Sequence, residues 1–143
     1  MRLLNPSPGE ILDRLTILDL KIAAARKKGI DETHFEAEQA SLKEVLQNWN
    51  DGVVEDCVGR DDIYAQKKGD IASHLSALAA VNSLLWQAED DIRATPGTEA
   101  FKLAILVKNT ARWNDARASH VRELDKLYGI KDGPEKIYTE NVR

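Results

Sequence analysis

Hydrophobic residues recur at helical spacing along most of the chain, and no competing period opposes the pattern. Ile11, Leu15, Leu18, Ile22 and Ala25 step by four, three, four and three residues, the spacing of a stripe packed on a neighbour. Leu12, Leu20 and Ala23 lie on another side, so the first helix is expected to be covered from two directions. Its ends are also legible. Ser7 as N-cap, Pro8 at the first helical position and Glu10 three residues after the cap form a capping box. Gly29, which tolerates positive φ, stops the helix after Lys28.

The second helix is expected to open with a capping box at Thr33-His34-Phe35-Glu36 and to bury Phe35, Leu42, Val45, Leu46 and Trp49. Asn50-Asp51-Gly52, three turn residues in a row, should end it. Residues 53–69 mix Val54, Val58, Ile63 and Tyr64 with acidic residues and two glycines, and read as an irregular connection with at most a short helix. A third helix is predicted from Asp70 to Ala94, broken by Thr95-Pro96-Gly97. The fourth begins after Thr98, with Glu99 in its first turn, and reaches Leu127 or Tyr128 before Gly129. Residues 129–143 read as a tail. The pattern thus predicts a single all-α domain over 1–143, a helical bundle of four main helices with an irregular connection between helices two and three.

Composition narrows the classes without naming one. A chain of 143 residues can bury a core unaided, and 43% hydrophobic with 31% charged residues excludes a disordered polymer. Only 8 Gly and 4 Pro argue against a turn-rich β fold. Twenty basic against 24 acidic residues give a net charge of −4, which disfavours a dedicated nucleic-acid binder. No apolar run approaches the ~20 residues of a membrane helix, so no membrane insertion is expected. Met1–Glu10 holds two prolines and no apolar h-region, and Cys57 is the sole cysteine; the expected address is therefore cytoplasmic.

Candidate chemistry appears on the helical wheels. Ile71, Leu75, Leu78, Leu85 and Ile92 mark the core stripe of the third helix, yet Asn82 and Glu89 fall in its middle, with Trp86 and Arg93 on the same face. In the fourth helix, Asn114 and Arg117 project from the centre of the face outlined by Leu103, Leu106, Val107, Trp113, Ala118, Val121 and Leu124, which is expected to be buried. The first helix adds a polar row of Glu10, Arg14 and Lys21. Buried charges cost several kcal/mol unless partnered, so these residues are expected to share one cluster, with Glu89 accepting from Arg93 or Arg117. Two uses fit such a cluster. It can be an ion-pair network that fixes helix register, in a non-enzymatic protein-interaction module. The leading expectation, to which that module is the alternative, is that Glu10, Arg14, Lys21, Asn82, Trp86, Glu89, Arg93, Asn114 and Arg117 line a pocket for a small polar or anionic ligand. Neither use specifies catalysis. His34, His74 and His120 lack metal-ligand spacing, and no glycine-rich phosphate loop or nucleophile elbow is present, so neither metal nor cofactor is expected. Arg112, Arg117 and Arg122 near Trp113 superficially suggest a nucleic-acid face, but Asp115, Glu123 and Asp125 cancel that field. The second apolar side of the first helix could also be covered by another copy of the chain, as a homodimer.

Three segments carry a resemblance: Gly9-Glu10-Ile11-Leu12-Asp13-Arg14-Leu15-Thr16-Ile17-Leu18 with Leu20-Lys21, then Leu85-Trp86-Gln87-Ala88-Glu89-Asp90-Asp91-Ile92-Arg93, then Asn114-Asp115-Ala116-Arg117-Ala118. Together they resemble a family of short bacterial all-helical proteins with no assigned function. The resemblance implies a helical domain with its motifs on helices one, three and four, and implies no reaction. The all-α chorismate mutases also place Arg, Lys and Glu inside a bundle, but their Arg–Lys spacing and Asp-x-x-Arg-Glu segment are not found here. The all-α nucleotide pyrophosphohydrolases need paired acidic turns; Glu10-Ile11-Leu12-Asp13 offers one, and Ile92, three residues after Glu89, spoils the second.

Overall fold

A computed structural model describes residues 6–131, and these form four helices with no strand among them. Helix α1 spans Pro8–Lys28, α2 Thr33–Asp56, α3 Asp61–Ala94 and α4 Ala100–Leu127. The expected C-terminal tail beyond residue 131 lies outside the described residues. None of the four helices is long and apolar enough to cross a membrane.

Helix α1 begins and ends where its local chemistry dictates. Ser7 Oγ accepts from the Glu10 amide at 3.2 Å while Glu10 Oε1 accepts from the Ser7 amide at 2.8 Å. Gly29 closes the helix in the left-handed region at φ 71°. Between these caps α1 is the central helix, packing on all three others. Ile11, Leu18, Ile22 and Ala25 are buried on one side and Leu12 on the other. Of the remaining expected positions, Leu15 and Leu20 are half-buried and Ala23 is exposed.

The middle of the chain is more helical than its composition suggests. Asn50-Asp51-Gly52 does not end α2, which continues to Asp56 because tertiary contacts outweigh local propensity. Asn50 Oδ1 accepts from the Tyr128 hydroxyl at 2.7 Å, Asp51 accepts from Gln47 at 2.8 Å, and Val53 enters the core. Val53 and Cys57, one turn apart, pack with Leu12, Leu78, Leu124 and Tyr128. The irregular connection expected over 53–69 therefore shrinks to residues 57–60, where Gly59 takes φ 77°. Helix α3 then starts at Asp61 rather than Asp70. Asp61 and Asp62 lie in its first turn, where the helix dipole favours negative charge. Tyr64 packs against the core cluster and anchors this extension.

Two further caps differ from expectation. Thr33 is not an N-cap: its hydroxyl and amide both donate to Asp31 Oδ1, at 2.6 and 3.0 Å, and Glu32 occupies the cap position without a side-chain bond. An ionised carboxylate two residues upstream is a better acceptor for both groups than the helix offers the hydroxyl. Glu99, expected in the first turn of α4, is its N-cap residue.

Helices α3 and α4 form the most extensive pairing, an antiparallel hairpin closed by residues 95–99, with α1 laid along it. The start of α1 sits against the far end of α4. The Gly9 amide donates to Asp125 Oδ1 at 2.7 Å, and a Cβ built on Gly9 would lie 2.3 Å from the Val121 carbonyl oxygen. That close approach requires glycine. Helix α2 packs chiefly on α1, and Val53 is its only buried residue among those described.

Candidate functional site

The polar cluster expected inside the bundle exists, but its centre is a residue that periodicity passed over. Asp13 on α1 is 8% exposed, and both of its carboxylate oxygens are engaged. Oδ1 accepts from Asn82 Nδ2 at 2.8 Å and from Arg117 Nε at 3.0 Å. Oδ2 accepts from Arg117 Nη2 at 2.7 Å and from Nε at 3.1 Å, completing a fork-like pairing of guanidinium and carboxylate. Asn82 Nδ2 also donates to Thr16 Oγ1 at 2.7 Å, and the Thr16 hydroxyl donates to the Asp13 carbonyl at 2.7 Å. Three helices thus meet on one carboxylate.

Asp13 and Thr16 share a side of α1 with Leu12 and Leu20. The second apolar side of α1 was legible, and the two polar residues within it were the available signal for the cluster. Asn82 and Arg117 are the two expected site residues that the structure brings together. Arg117 keeps 36% of its side chain exposed against 12% for Asp13. Its pKa is raised chiefly by the hydrogen bonds to Asp13, opposed by partial burial and assisted by the nearby charges of Asp13 and Glu89.

The other expected residues are dispersed. Glu89 is exposed and makes no hydrogen bond to Arg93 or Arg117, which corrects its placement in the core. The reason is the path of the packing seam along α3, which passes from Leu85 to the small Ala88 three residues on and carries Glu89 outward. Arg93 is exposed and pairs with Asp90, not Glu89. The polar row of α1 also faces outward. Glu10 caps its own helix, Arg14 lies 3.5 Å from Glu38 of α2, and Lys21 sits 5.7 Å above the Phe35 ring. Asn114 is exposed and Trp86 half-buried.

This arrangement is suited to holding helices together. Arg117 covers the Asp13 carboxylate, and Asn82 divides its amide protons between Asp13 and Thr16. A carboxylate with both oxygens already accepting is poorly placed to serve as a general base or to receive a ligand donor. No family model, curated protein or solved structure matches the chain.

Proposed function

We propose that this protein is a non-enzymatic helical interaction module whose buried polar network is structural and whose partner is an acidic protein segment. The observation that carries the reading is the saturation of Asp13 by Arg117 and Asn82 inside the bundle. A small anionic ligand at this site would have to draw Arg117 away from a buried carboxylate, at a cost of several kcal/mol.

The partner's chemistry is suggested by the outward stripe of α4. Phe101 and Ile105, one turn apart, are 81% and 47% exposed. Lys108 and Arg112 continue the same stripe at helical spacing, both exposed, and no acidic residue lies between Glu99 and Asp115. An apolar anchor flanked by cations suits an acidic, amphipathic segment. A second copy of the chain on the same stripe is the rival occupant, and light scattering at micromolar concentration separates the two. The reading keeps the expected cytoplasmic address, where Cys57 remains a buried free thiol.

Photocrosslinkers placed at Phe101 and Ile105 in the native host test the proposal, with Lys43 on α2 as the control position. One common protein captured from both α4 positions and not from the control is the expected result. The test is completed by a thermal-shift screen of phosphate, dicarboxylates and sugar nucleotides. A metabolite that stabilises the wild type but not Arg117→Lys would overturn the reading in favour of ligand binding.

A further inference from the structure

The α3–α4 hairpin carries a second polar contact that the Asp13 network does not use. His74 on α3 and His120 on α4 stand 46 positions apart in sequence, and the antiparallel pairing brings their Nδ1 atoms to 3.0 Å. The ring centroids are 5.3 Å apart, with the planes inclined at 58°, and both side chains are half-buried. Two neutral imidazoles in this geometry share one proton: one Nδ1–H donates and the other Nδ1 accepts, so the rings are opposite tautomers. The contact brings two ring nitrogens from different helices to one point.

We propose that His74 and His120 form a two-histidine site for a divalent transition metal of the Ni²⁺ or Cu²⁺ type, which replaces the shared proton and clips α3 to α4. The spacing admits an ion between the two nitrogens. With metal–nitrogen bonds of about 2.0–2.1 Å, two ligands at right angles are about 2.9 Å apart, and two tetrahedral ligands about 3.3 Å apart. The present 3.0 Å is a hydrogen-bond separation close to both values, so small ring rotations reach either geometry, and the class follows from the donors: imidazole nitrogen suits Ni²⁺ and Cu²⁺, and Cu²⁺ heads the affinity order for such a site. Binding needs the donor ring to pass its Nδ1 proton through solvent to its own Nε2, so that both Nδ1 atoms offer lone pairs, and each ring to turn until that lone pair aims beside the present N–N line, where the ion sits.

The surroundings tolerate a dication. Arg117, one turn before His120, has its charge offset by Asp13, while Asp70 and Glu123 stand one turn from the two histidines along their own helices. Among the described residues no group of three His, Cys, Asp or Glu gathers, so water completes the coordination. The mechanical consequence follows from position. Leu78 and Leu124, each four residues beyond one histidine, are both fully buried, so the clip would tie the hairpin one turn from its tightest packing.

Titration of the untagged full chain with NiCl₂ by calorimetry tests the site, with wild type, His74→Gln, His120→Gln and His34→Gln compared. One ion per chain is expected in the wild type and in His34→Gln, with at least about tenfold weaker binding in the other two variants. Because a variant could perturb packing, paramagnetic broadening by Cu²⁺ is followed in the imidazole NMR spectrum of the wild type. Selective loss of the His74 and His120 ring signals supports the site. Absence of binding at millimolar metal, retention of full affinity in both His74→Gln and His120→Gln, or broadening centred on His34 overturns it.

Discussion

Asn82 is where the bundle's polar network can be tested most sharply, because one side chain there bridges a charged and a neutral acceptor. Truncation by Asn82→Ala removes a hydrogen bond to the Asp13 carboxylate, worth about 1.5–3 kcal/mol, and one to the Thr16 hydroxyl, worth about 0.5–1.5. Asp13 keeps Arg117, and Thr16 keeps its own donation to the Asp13 carbonyl, so little else is stranded. The expected loss is about 2–4 kcal/mol. Asn82→Asp suffers the same losses and sets a second carboxylate against Asp13. At an effective dielectric of 20 that repulsion adds roughly 4 kcal/mol, part of which Arg117 offsets. A total near 4–6 kcal/mol approaches the whole stability of many domains, which is about 5–15 kcal/mol. The two variants should also differ in pH dependence. Crowding raises the proton affinity of the new carboxyl pair in the folded state, so the folded form binds more protons and stability rises as pH falls. Urea denaturation followed by helical circular dichroism at pH 7.5 and 5 is the assay. Asn82→Asp should recover part of its loss at the lower pH and Asn82→Ala should not. Exposed Glu89 is the internal control, since Glu89→Ala should stay within about 0.5 kcal/mol. Equal, pH-independent losses in both Asn82 variants, or a Glu89→Ala loss as large as that of Asn82→Ala, would refute the network as described.

Gly9→Ala places a methyl 2.3 Å from the Val121 carbonyl oxygen, a backbone atom that cannot rotate away. A net loss of about 2–3 kcal/mol in denaturant melts is expected, despite a helix-propensity gain of about 1 kcal/mol. Burial raises the Tyr128 pKa, so the unfolded chain ionises first and folding stability should fall as pH climbs above about 10. Tyr128→Phe should flatten that alkaline decline while costing about 1 kcal/mol at neutral pH through loss of the 2.7 Å bond to Asn50, both readable from urea midpoints. Amide exchange should be fastest among the helices over residues 33–50 of α2, which hold no buried residue and meet α1 through exposed pairs such as Arg26–Glu36, whereas residues 100–123, which hold none either, lie in the more extensive α3–α4 pairing. Protection there equal to that of α1 would contradict the packing.

Helix identity and the fate of α1 were legible because their determinants are local: a capping box, a proline, a C-terminal glycine and a stripe at period 3.6 lie within a few residues of one another. The segment 50–69 misled for the complementary reason. Its turn residues and glycines weaken a helix locally, but Val53, Cys57 and Tyr64 pack in or against the core cluster, and only tertiary contact makes the helix worth extending. The site was legible by type and only partly by residue. Asn82 and Arg117 stood out as polar groups in apolar stripes, and they meet. Glu89 stood in an equally apolar stripe, but a wheel drawn at a fixed angle per residue cannot show the seam passing to Ala88. The His74–His120 contact was beyond any spacing rule, since 46 residues mean nothing until the hairpin register is known.

That register is itself what the polar contacts determine. An apolar stripe alone leaves a helix several nearly equivalent ways to slide, since leucine packs on leucine after a shift of one turn much as before. Helix α1 has no such freedom. Gly9 fits the α4 backbone at Val121 and donates to Asp125, and Asp13, one turn later, meets Arg117 of the same helix and Asn82 of α3. A one-turn slip would drive a bulkier residue into the Val121 carbonyl and leave Asp13 buried without its guanidinium, each costing several kcal/mol. A buried ion pair adds little net stability over well-packed apolar groups, so its value here lies in the alternatives it excludes. Helix α2 lacks any comparable buried anchor along its first two turns, where Glu36, Glu38 and Gln39 pair with Arg26, Arg14 and Asp19 of α1 and Phe35 lies under Lys21. The anchored unit is therefore α1, the α3–α4 hairpin and the C-terminal end of α2 that joins the core through Val53, and the outward stripe of α4 that carries Phe101 and Ile105 belongs to the hairpin rather than to the looser start of α2.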